Sequence, residues 1–255
     1  MIWTIDAGNT LIKWGIWDEG GGLLKVLRTP LNRVHETLRE ALLLGRPTLT
    51  AVASVSLPRN YWEEVWLSAG LTPPFWPDGS SFWPFETQYR TPETLGLDRK
   101  IQMAGALALH PDQAWMVLGL GTCLTVDWLL PSQTGGPATH LGGLISPGLR
   151  MRYRALHRET AALPDLEPSY TPTPYPGKST LEAIHAGAQG GWIAEIQDHT
   201  RRWNQVQPGA GVLVCGGDAK PEVLAQIRAD GPIFAEPNLA LHGLYTLLLH
   251  AKPQS

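Results

Sequence analysis

Two stretches of this chain put small and polar residues where phosphate chemistry can use them. The first is Met1-Ile-Trp-Thr-Ile-Asp-Ala-Gly-Asn-Thr-Leu-Ile-Lys13. Ile2 to Ile5 reads as a buried strand, and Asp6 places a carboxylate at its end. Ala7, Gly8 and Asn9 are small or turn-prone, Thr10 adds a hydroxyl, and Leu11 to Trp17 reads as a returning strand that carries Lys13. Backbone N–H groups of such a turn can close on an anion, and a carboxylate beside them can hold a divalent cation directly or through water. Turn chemistry alone is equally consistent with an ordinary hairpin. The second stretch repeats the first: Trp115 to Leu120 reads as a strand, Gly121-Thr122 as a turn and Cys123 to Leu130 as a returning strand.

The elements around these turns alternate. Val26 to Arg28 extends the first hairpin. Leu31 to Leu44 has helical spacing, with Val34, Leu38, Ala41 and Leu42 on one side, and Leu49 to Val55 is a short apolar strand. Tyr61 to Ala69 reads as a helix, Leu71 to Tyr89 as irregular structure with one short strand, and Leu97 to Leu109 as a second helix. Past the second hairpin come a glycine-rich link (131–137), helices over Leu149 to Leu163 and Ser179 to Trp203, and a proline-rich loop between them. Gly187, Gly190 and Gly191 weaken the middle of the longer helix. Gly211 to Cys215 reads as a strand, Pro221 to Ala229 as a helix, Ile233 to Ala235 as a strand and Leu239 to His250 as a closing helix. The chain thus reads as α/β, in two architecturally similar halves, 1–113 and 114–255. Two such lobes facing each other would form a cleft with one turn from each side.

Composition narrows the function. The 255 residues are 43% hydrophobic with a formal net charge of −3, which supplies a large core and argues against a nucleic-acid-binding surface spread over the whole protein. No apolar run approaches a membrane span and the N-terminus enters a strand at once, so a cytoplasmic protein without membrane or nucleic-acid partners is expected. Cys123 and Cys215 are too few for a disulfide framework and read as buried thiols without a catalytic role, and no Cys/His spacing suggests zinc. The 11 tryptophans read as dispersed packing or surface aromatics. Two nucleotide motifs fail. Gly177-Lys178-Ser179 lacks the earlier glycine of a P-loop, since residue 172 is Pro, and Gly119-Leu-Gly-Thr-Cys-Leu124 ends in Leu and runs into a strand. Ser146 lacks the nucleophile-elbow pattern of a hydrolase.

Six motifs then stand in order: Asp6-Ala-Gly-Asn-Thr10; Tyr89 with Thr91-Pro-Glu-Thr-Leu-Gly-Leu-Asp-Arg99; Gly121-Thr-Cys-Leu-Thr-Val-Asp127; Gly142-Gly-Leu-Ile-Ser-Pro-Gly148; Gly177-Lys-Ser-Thr180; and Cys215-Gly-Gly-Asp218. Over almost its whole length the chain resembles type III pantothenate kinase, of the acetate and sugar kinase/Hsp70/actin superfamily. The resemblance implies two ribonuclease H-like (actin-like ATPase) lobes with mixed sheets flanked by helices, usually a homodimer, and ATP-dependent phosphorylation of pantothenate. It implies that Asp6, Ala7, Gly8, Asn9, Thr10, Leu11, Ile12 and Lys13 bind ATP phosphates, with Asp6 near Mg²⁺, and that Thr122 and the Gly216-Gly217 loop contact ATP. Tyr89, Gly96, Leu97, Asp98, Arg99 and Thr180 match pantothenate-contacting positions, and Asp98 matches the proton acceptor.

The residues also have plainer readings. Asp98 and Arg99 suit a helix start, as an acid favoured by the macrodipole and a solvated cation. Thr180 suits a helix cap, Lys13 a solvated strand position and Tyr89 a packing aromatic. Asp127 fits either the site or the lobe's own hydrogen bonding, and none of the histidines is assigned. One residue departs from the family: the second turn there reads Asp-x-Gly-Thr, and that Asp helps bind a monovalent cation, K⁺ or NH₄⁺, whereas this chain has Gly119. Losing an anionic ligand should weaken such a site, so this chain is expected either to dispense with the monovalent cation or to hold it differently. That gap is also the mark in favour of a nucleotide-binding regulator of the Bvg accessory factor type; a kinase of another small hydroxylated substrate is a third reading.

Overall fold

The computed structural model describes residues 1–132 and 135–251, so Gln133 and Thr134 of the glycine-rich link lie outside the described residues. The chain divides into two compact units: Met1–Glu86 with Arg90–His110 and the closing segment from Asn238, and Thr87–Tyr89 with Pro111–Pro237.

In the first unit, β1 (Ile2–Ala7) pairs antiparallel with β2 (Ile12–Trp17), β2 with β3 (Leu23–Thr29), and β1 runs parallel to β4 (Leu49–Ser54), giving the order β3-β2-β1-β4. Side chains alternate across a strand, so each residue type selects a face. Trp3, Ile5 and Ala7 of β1 meet Ile12, Trp14 and Ile16 of β2 on one face, under α1 (Val34–Leu44) and α2 (Arg59–Ser68). The tryptophans are not dispersed here. Trp14 stacks on Trp66 at 5.9 Å and meets Trp3 and Trp62 edge-on or tilted, all four buried. Their indole N–H groups have no hydrogen-bond partner, so the cluster rests on apolar area and ring contact.

The opposite face carries Ile2, Thr4, Asp6, Lys13, Gly15 and Trp17 and is covered by α3 (Leu97–Leu109) and α8 (Leu239–Ala251). Trp17 donates its indole N–H to Thr4 Oγ1 at 2.8 Å within this buried layer. Helices α3 and α8 approach so closely that a Cβ on Gly105 would lie 2.1 Å from the Leu239 carbonyl oxygen, and one on Gly243 2.0 Å from that of Ile101. This contact explains why the compact units differ from a simple division near residue 113: the last helix packs against α3 and clusters with the first unit.

The second unit repeats the pattern. β6 (Trp115–Leu120), β7 (Cys123–Leu130) and β8 (Ala138–Pro147) form an antiparallel meander, and β9 (Gly211–Cys215) and β10 (Ile233–Ala235) add in parallel on the β6 side. With β5 (Phe85–Thr87) the order is β10-β9-β6-β7-β8-β5. In both units, therefore, a hairpin strand is flanked by its antiparallel return and a later parallel strand. The full strand β8 was not expected, because its Gly142-Gly143 interrupts the apolar alternation. α4 (Leu149–Arg158) stops short of Leu163: Thr160 Oγ1 donates back to the Leu156 carbonyl, and His157 meets the Leu163 carbonyl through Nδ1. α7 (Pro221–Leu224) is likewise shorter than expected. The long helix expected over 179–203 is α5 (Thr180–His185), a π-turn over Ala186–Gly190, and α6 (Gly191–Val206). The glycines ease that wide turn, and its buried Gln189 accepts the Tyr170 N–H at 2.9 Å and donates to the Thr171 carbonyl. Among the described residues no helix is long and apolar enough to cross a membrane.

The glycine pair at the α3–α8 contact gives a direct check. Gly243→Ala should cost about 2 kcal/mol of unfolding free energy through overpacking, read as a lower urea midpoint; an unchanged midpoint would mean that the helices do not approach so closely.

Candidate active site

The alternation that buries Trp14 turns Asp6 and Lys13, directly opposed in the β1–β2 register, toward the face that α3 covers. Between them the chain reverses over Gly8–Leu11, closed by Gly8 N–H donating to the Leu11 carbonyl at 3.1 Å. Val55 N–H ties β4 to the Ala7 carbonyl at 3.0 Å. Asn9, Thr10 and Leu11 are exposed, Ala7 and Ile12 are buried, and Asp6, Gly8 and Lys13 are half-buried. Ala7 and Ile12 thus pack the core and offer only backbone to a ligand, while the Asn9 and Thr10 side chains are open to one.

α3 brings the second carboxylate. Gly96 is its N-cap and Leu97 its first residue, so Asp98 falls in the first turn, where a negative charge meets the helix N-terminus. A Cβ on Gly96 would sit 2.7 Å from Asp98 Oδ1, so glycine leaves the room this carboxylate uses. Asp98 is exposed, but Arg99 is only 3% exposed and is therefore not a solvated surface charge.

Asp6, Lys13 and Asp98 form one electrostatic group. Burial pushes the Asp6 carboxyl up from 3.8 to about 6, Lys13 opposes that rise and Asp98 adds to it. A half-buried carboxylate beside a second acid is a site that a cation would relieve. No group of three or more His, Cys, Asp or Glu side chains among the described residues could hold a metal alone. The residues fit Mg²⁺, which is commonly held by one or two carboxylates plus substrate phosphates rather than by an all-protein cage.

In the second unit three glycine motifs serve close approach. Thr122 is exposed on the turn between β6 and β7. A Cβ on Gly148 would lie 2.2 Å from the Gly121 carbonyl oxygen, and one on Gly216, whose φ is +101°, 2.1 Å from that of Leu120. Gly148 and Gly216 thus clasp the Leu120–Thr122 turn, and Asp218 N–H also donates to the Leu120 carbonyl at 3.0 Å. Gly217 is exposed. Gly119 is buried in β6, paired with Thr125 and Cys215. Cys215 is buried and Cys123 partly so. Thr180 is exposed at the start of α5 and is not the cap: Ser179 Oγ accepts the Glu182 N–H, and Glu182 accepts the Lys178 N–H. Gly177 lets this loop lie against Ala183, whose nitrogen would be 2.5 Å from a Cβ there.

Two residues escaped the sequence reading. Thr87 and His140 join Asp127 in a hydrogen-bonded chain beneath Tyr89. Neither has a motif signature; the only hint was the place of His140 just before Gly142-Gly143.

A mixed-sheet α/β unit, occurring twice, each with a glycine turn at the end of its first strand, defines a protein of the actin-like ATPase and sugar-kinase fold. Solved structures agree on that fold. The activator of the 2-hydroxyisocaproyl-CoA dehydratase from Clostridium difficile, with bound ADPNP, aligns at a TM-score of 0.55 and 13% identity over 97% of this chain and 94% of that one. Lmo2764, a putative N-acetylmannosamine kinase from Listeria monocytogenes, aligns at 0.53 and 11% over 97% and 98%. The family is set by sequence. The model of type III pantothenate kinase matches residues 2–202. The type III pantothenate kinase of Flavobacterium johnsoniae is 37% identical over 248 residues, 96% of each chain, and that of Flavobacterium psychrophilum 31% identical over 99% of this chain and 100% of its own. This chain belongs to the type III pantothenate kinase family.

Asp6 makes a prediction about stability. In the fold it keeps its proton up to about 6, against 3.8 without the fold, so its stabilising contribution is full below 3.8 and is lost as pH rises through about 6. The loss is about 3 kcal/mol. In urea unfolding without added Mg²⁺, Asp6→Asn should gain on the wild type across that window, and saturating MgATP should narrow the gap. Parallel pH profiles for the two proteins would mean that Asp6 is solvated like a free carboxylate.

Proposed function

We propose that this protein transfers the γ-phosphoryl group of ATP to the primary hydroxyl of pantothenate, giving 4'-phosphopantothenate, the first step of coenzyme A biosynthesis. The observation that carries the reading is the grouping of Asp6, Lys13 and Asp98 on one face of the first unit, in a chain of this family.

The hairpin supplies the phosphate side: Gly8 keeps the turn closed through its own N–H, Asn9 and Thr10 offer backbone N–H and side-chain donors, and Lys13 a positive charge for the β- and γ-phosphates. Thr122 and the Gly216-Gly217 loop take the remainder of the nucleotide. Asp6 would hold Mg²⁺, directly or through water, and the ion would supply charge neutralisation for the transferred phosphoryl group. Gly96, Leu97, Arg99, Tyr89 and Thr180 hold pantothenate. Arg99 is suited to its carboxylate, because a paired hydrogen bond is strong where water is largely excluded. Asp98 accepts the proton of the hydroxyl as its oxygen bonds to the γ-phosphorus and the bond to ADP breaks. A loose transition state asks this acid to aim the hydroxyl more than to deprotonate it early, so a carboxylate steadied by a helix N-terminus serves.

The buried glycine at position 119 contributes no side-chain oxygen of its own to a monovalent cation. We assign catalysis here that depends weakly on K⁺ or NH₄⁺, in a cytoplasmic homodimer.

Asp98→Asn should lower kcat by more than about a hundredfold while ATP still binds; a variant at the wild-type rate removes Asp98 from its role. ATP consumption measured with pantothenate, with sugars and without acceptor should rise only with pantothenate. No consumption in any of them would point to a regulator, and a response to sugar to another kinase. Replacing K⁺ by a bulky organic cation should leave most of the turnover, and steep loss would show a cation site formed without the missing Asp.

A further inference from the structure

We infer that Asp127, His140 and Thr87 form a buried positioning chain that sets the pose of Tyr89 for pantothenate. The inference rests on the proposed role of Tyr89.

The chain is continuous within the second unit. Tyr89 N–H donates to Thr87 Oγ1 at 3.0 Å, Thr87 Oγ1 lies 2.7 Å from His140 Nδ1, and His140 Nε2 lies 2.9 Å from Asp127 Oδ1. A carboxylate only accepts, so Nε2 carries the proton toward Asp127. With Nδ1 accepting, the Thr87 proton points to the imidazole and an Oγ1 lone pair is left for the Tyr89 N–H. Each donor and acceptor has one direction, so the polarity at Asp127 is passed three links away to the Tyr89 backbone. The rings add to this: Tyr89 lies nearly parallel to His140, 15° apart with centroids at 6.3 Å. Gln88 N–H donates to the His140 carbonyl at 2.8 Å, so the histidine grips the 87–89 segment by its backbone as well. His140 is fully buried and Asp127 2% exposed, whereas Tyr89 is partly open.

The sheet is shaped to make this possible. Up to Trp128, β7 and β8 pair in one register, Asp127 with Gly143 and Trp128 with Gly142. Leu129 then pairs with His140 rather than Leu141, so one residue of β8 is extra. Without that bulge His140 would pair with Leu130 and face away from Asp127, since a shift of one residue changes the face of the sheet. Gly142, at φ +126°, supplies the backbone angle beside the bulge that other residues resist. A glycine in the Gly-Gly motif thus turns a histidine onto the face of the acid. Had Asp127 served only the sheet, neither the bulge nor a hydroxyl on β5 would be needed.

The test is steady-state kinetics of the full-length protein with both substrates varied. Thr87→Val keeps the shape and removes the hydroxyl. It should raise KM for pantothenate about tenfold, leave KM for ATP within about twofold and barely move Tm; Thr87→Ser, which restores the hydroxyl, should recover most of the loss. Asp127→Asn, free to invert the imidazole tautomer, should repeat the split and decides the matter if the valine variant does not fold. Unchanged pantothenate KM in a folded variant, or equal rises for both substrates, overturns the positioning chain while leaving the kinase reading intact. A wild-type protein that does not phosphorylate pantothenate at all overturns both.

Discussion

The constraint on which this structure turns is a carboxylate kept partly out of water at the end of a strand. Asp6 can be there because period-two alternation places it opposite the tryptophan-packed face, on the side covered by α3 and α8. Its cost is visible in a carboxyl held toward its protonated form by burial and by Asp98, with only Lys13 in opposition. A fold that retains such a group has placed negative charge where a cation would offset it. The tryptophan cluster, the two-helix cover and the tight hairpin all serve to hold that charge in place.

Glycine is the means by which backbone reaches the site. The two in the α3–α8 contact let the closing helix lie on α3, whose first turn carries Asp98. Gly148 and Gly216 let two chain segments clasp the Leu120–Thr122 turn, where any side chain would meet a carbonyl oxygen. The glycine motifs that a sequence reader takes for phosphate loops are in several cases packing requirements of neighbouring backbone, and the two roles support each other. A turn clasped on both sides, and closed by Gly121 N–H donating to the Cys123 carbonyl, keeps its shape without reorganising.

The units repeat one topology yet differ in what they contribute. The first carries Asp6, Asp98, Lys13 and the buried Arg99. The second carries small residues, a strained loop at Tyr170 held by a buried glutamine from a π-turn, and an internal polar chain from Asp127 to Thr87. Gly119 fits this division, since the end of β6 carries no acid where the end of β1 has Asp6.

Much of this was legible in the order of residues. Strand–turn–strand patterns at Asp6 and at Gly121-Thr122, the helix beginning at Leu97 and the twofold repeat all follow from local periodicity and turn chemistry, which act over a few residues. The motifs from Asp6 to Asp218 placed the family. Other features depended on neighbours far along the chain. The burial of Arg99, the gathering of Trp3, Trp14, Trp62 and Trp66, and the attachment of the last helix to α3 come from packing between segments whose separation leaves no local pattern. The strand through Gly142-Gly143 was hidden because glycine carries no side chain to alternate. His140 was passed over for the same reason: only a register shift of one residue decides which face it occupies, and register is a property of two paired strands. Sequence alone determined which chemistry was available; the tertiary structure decided which groups share a face, because burial and pairing are set by what each segment meets.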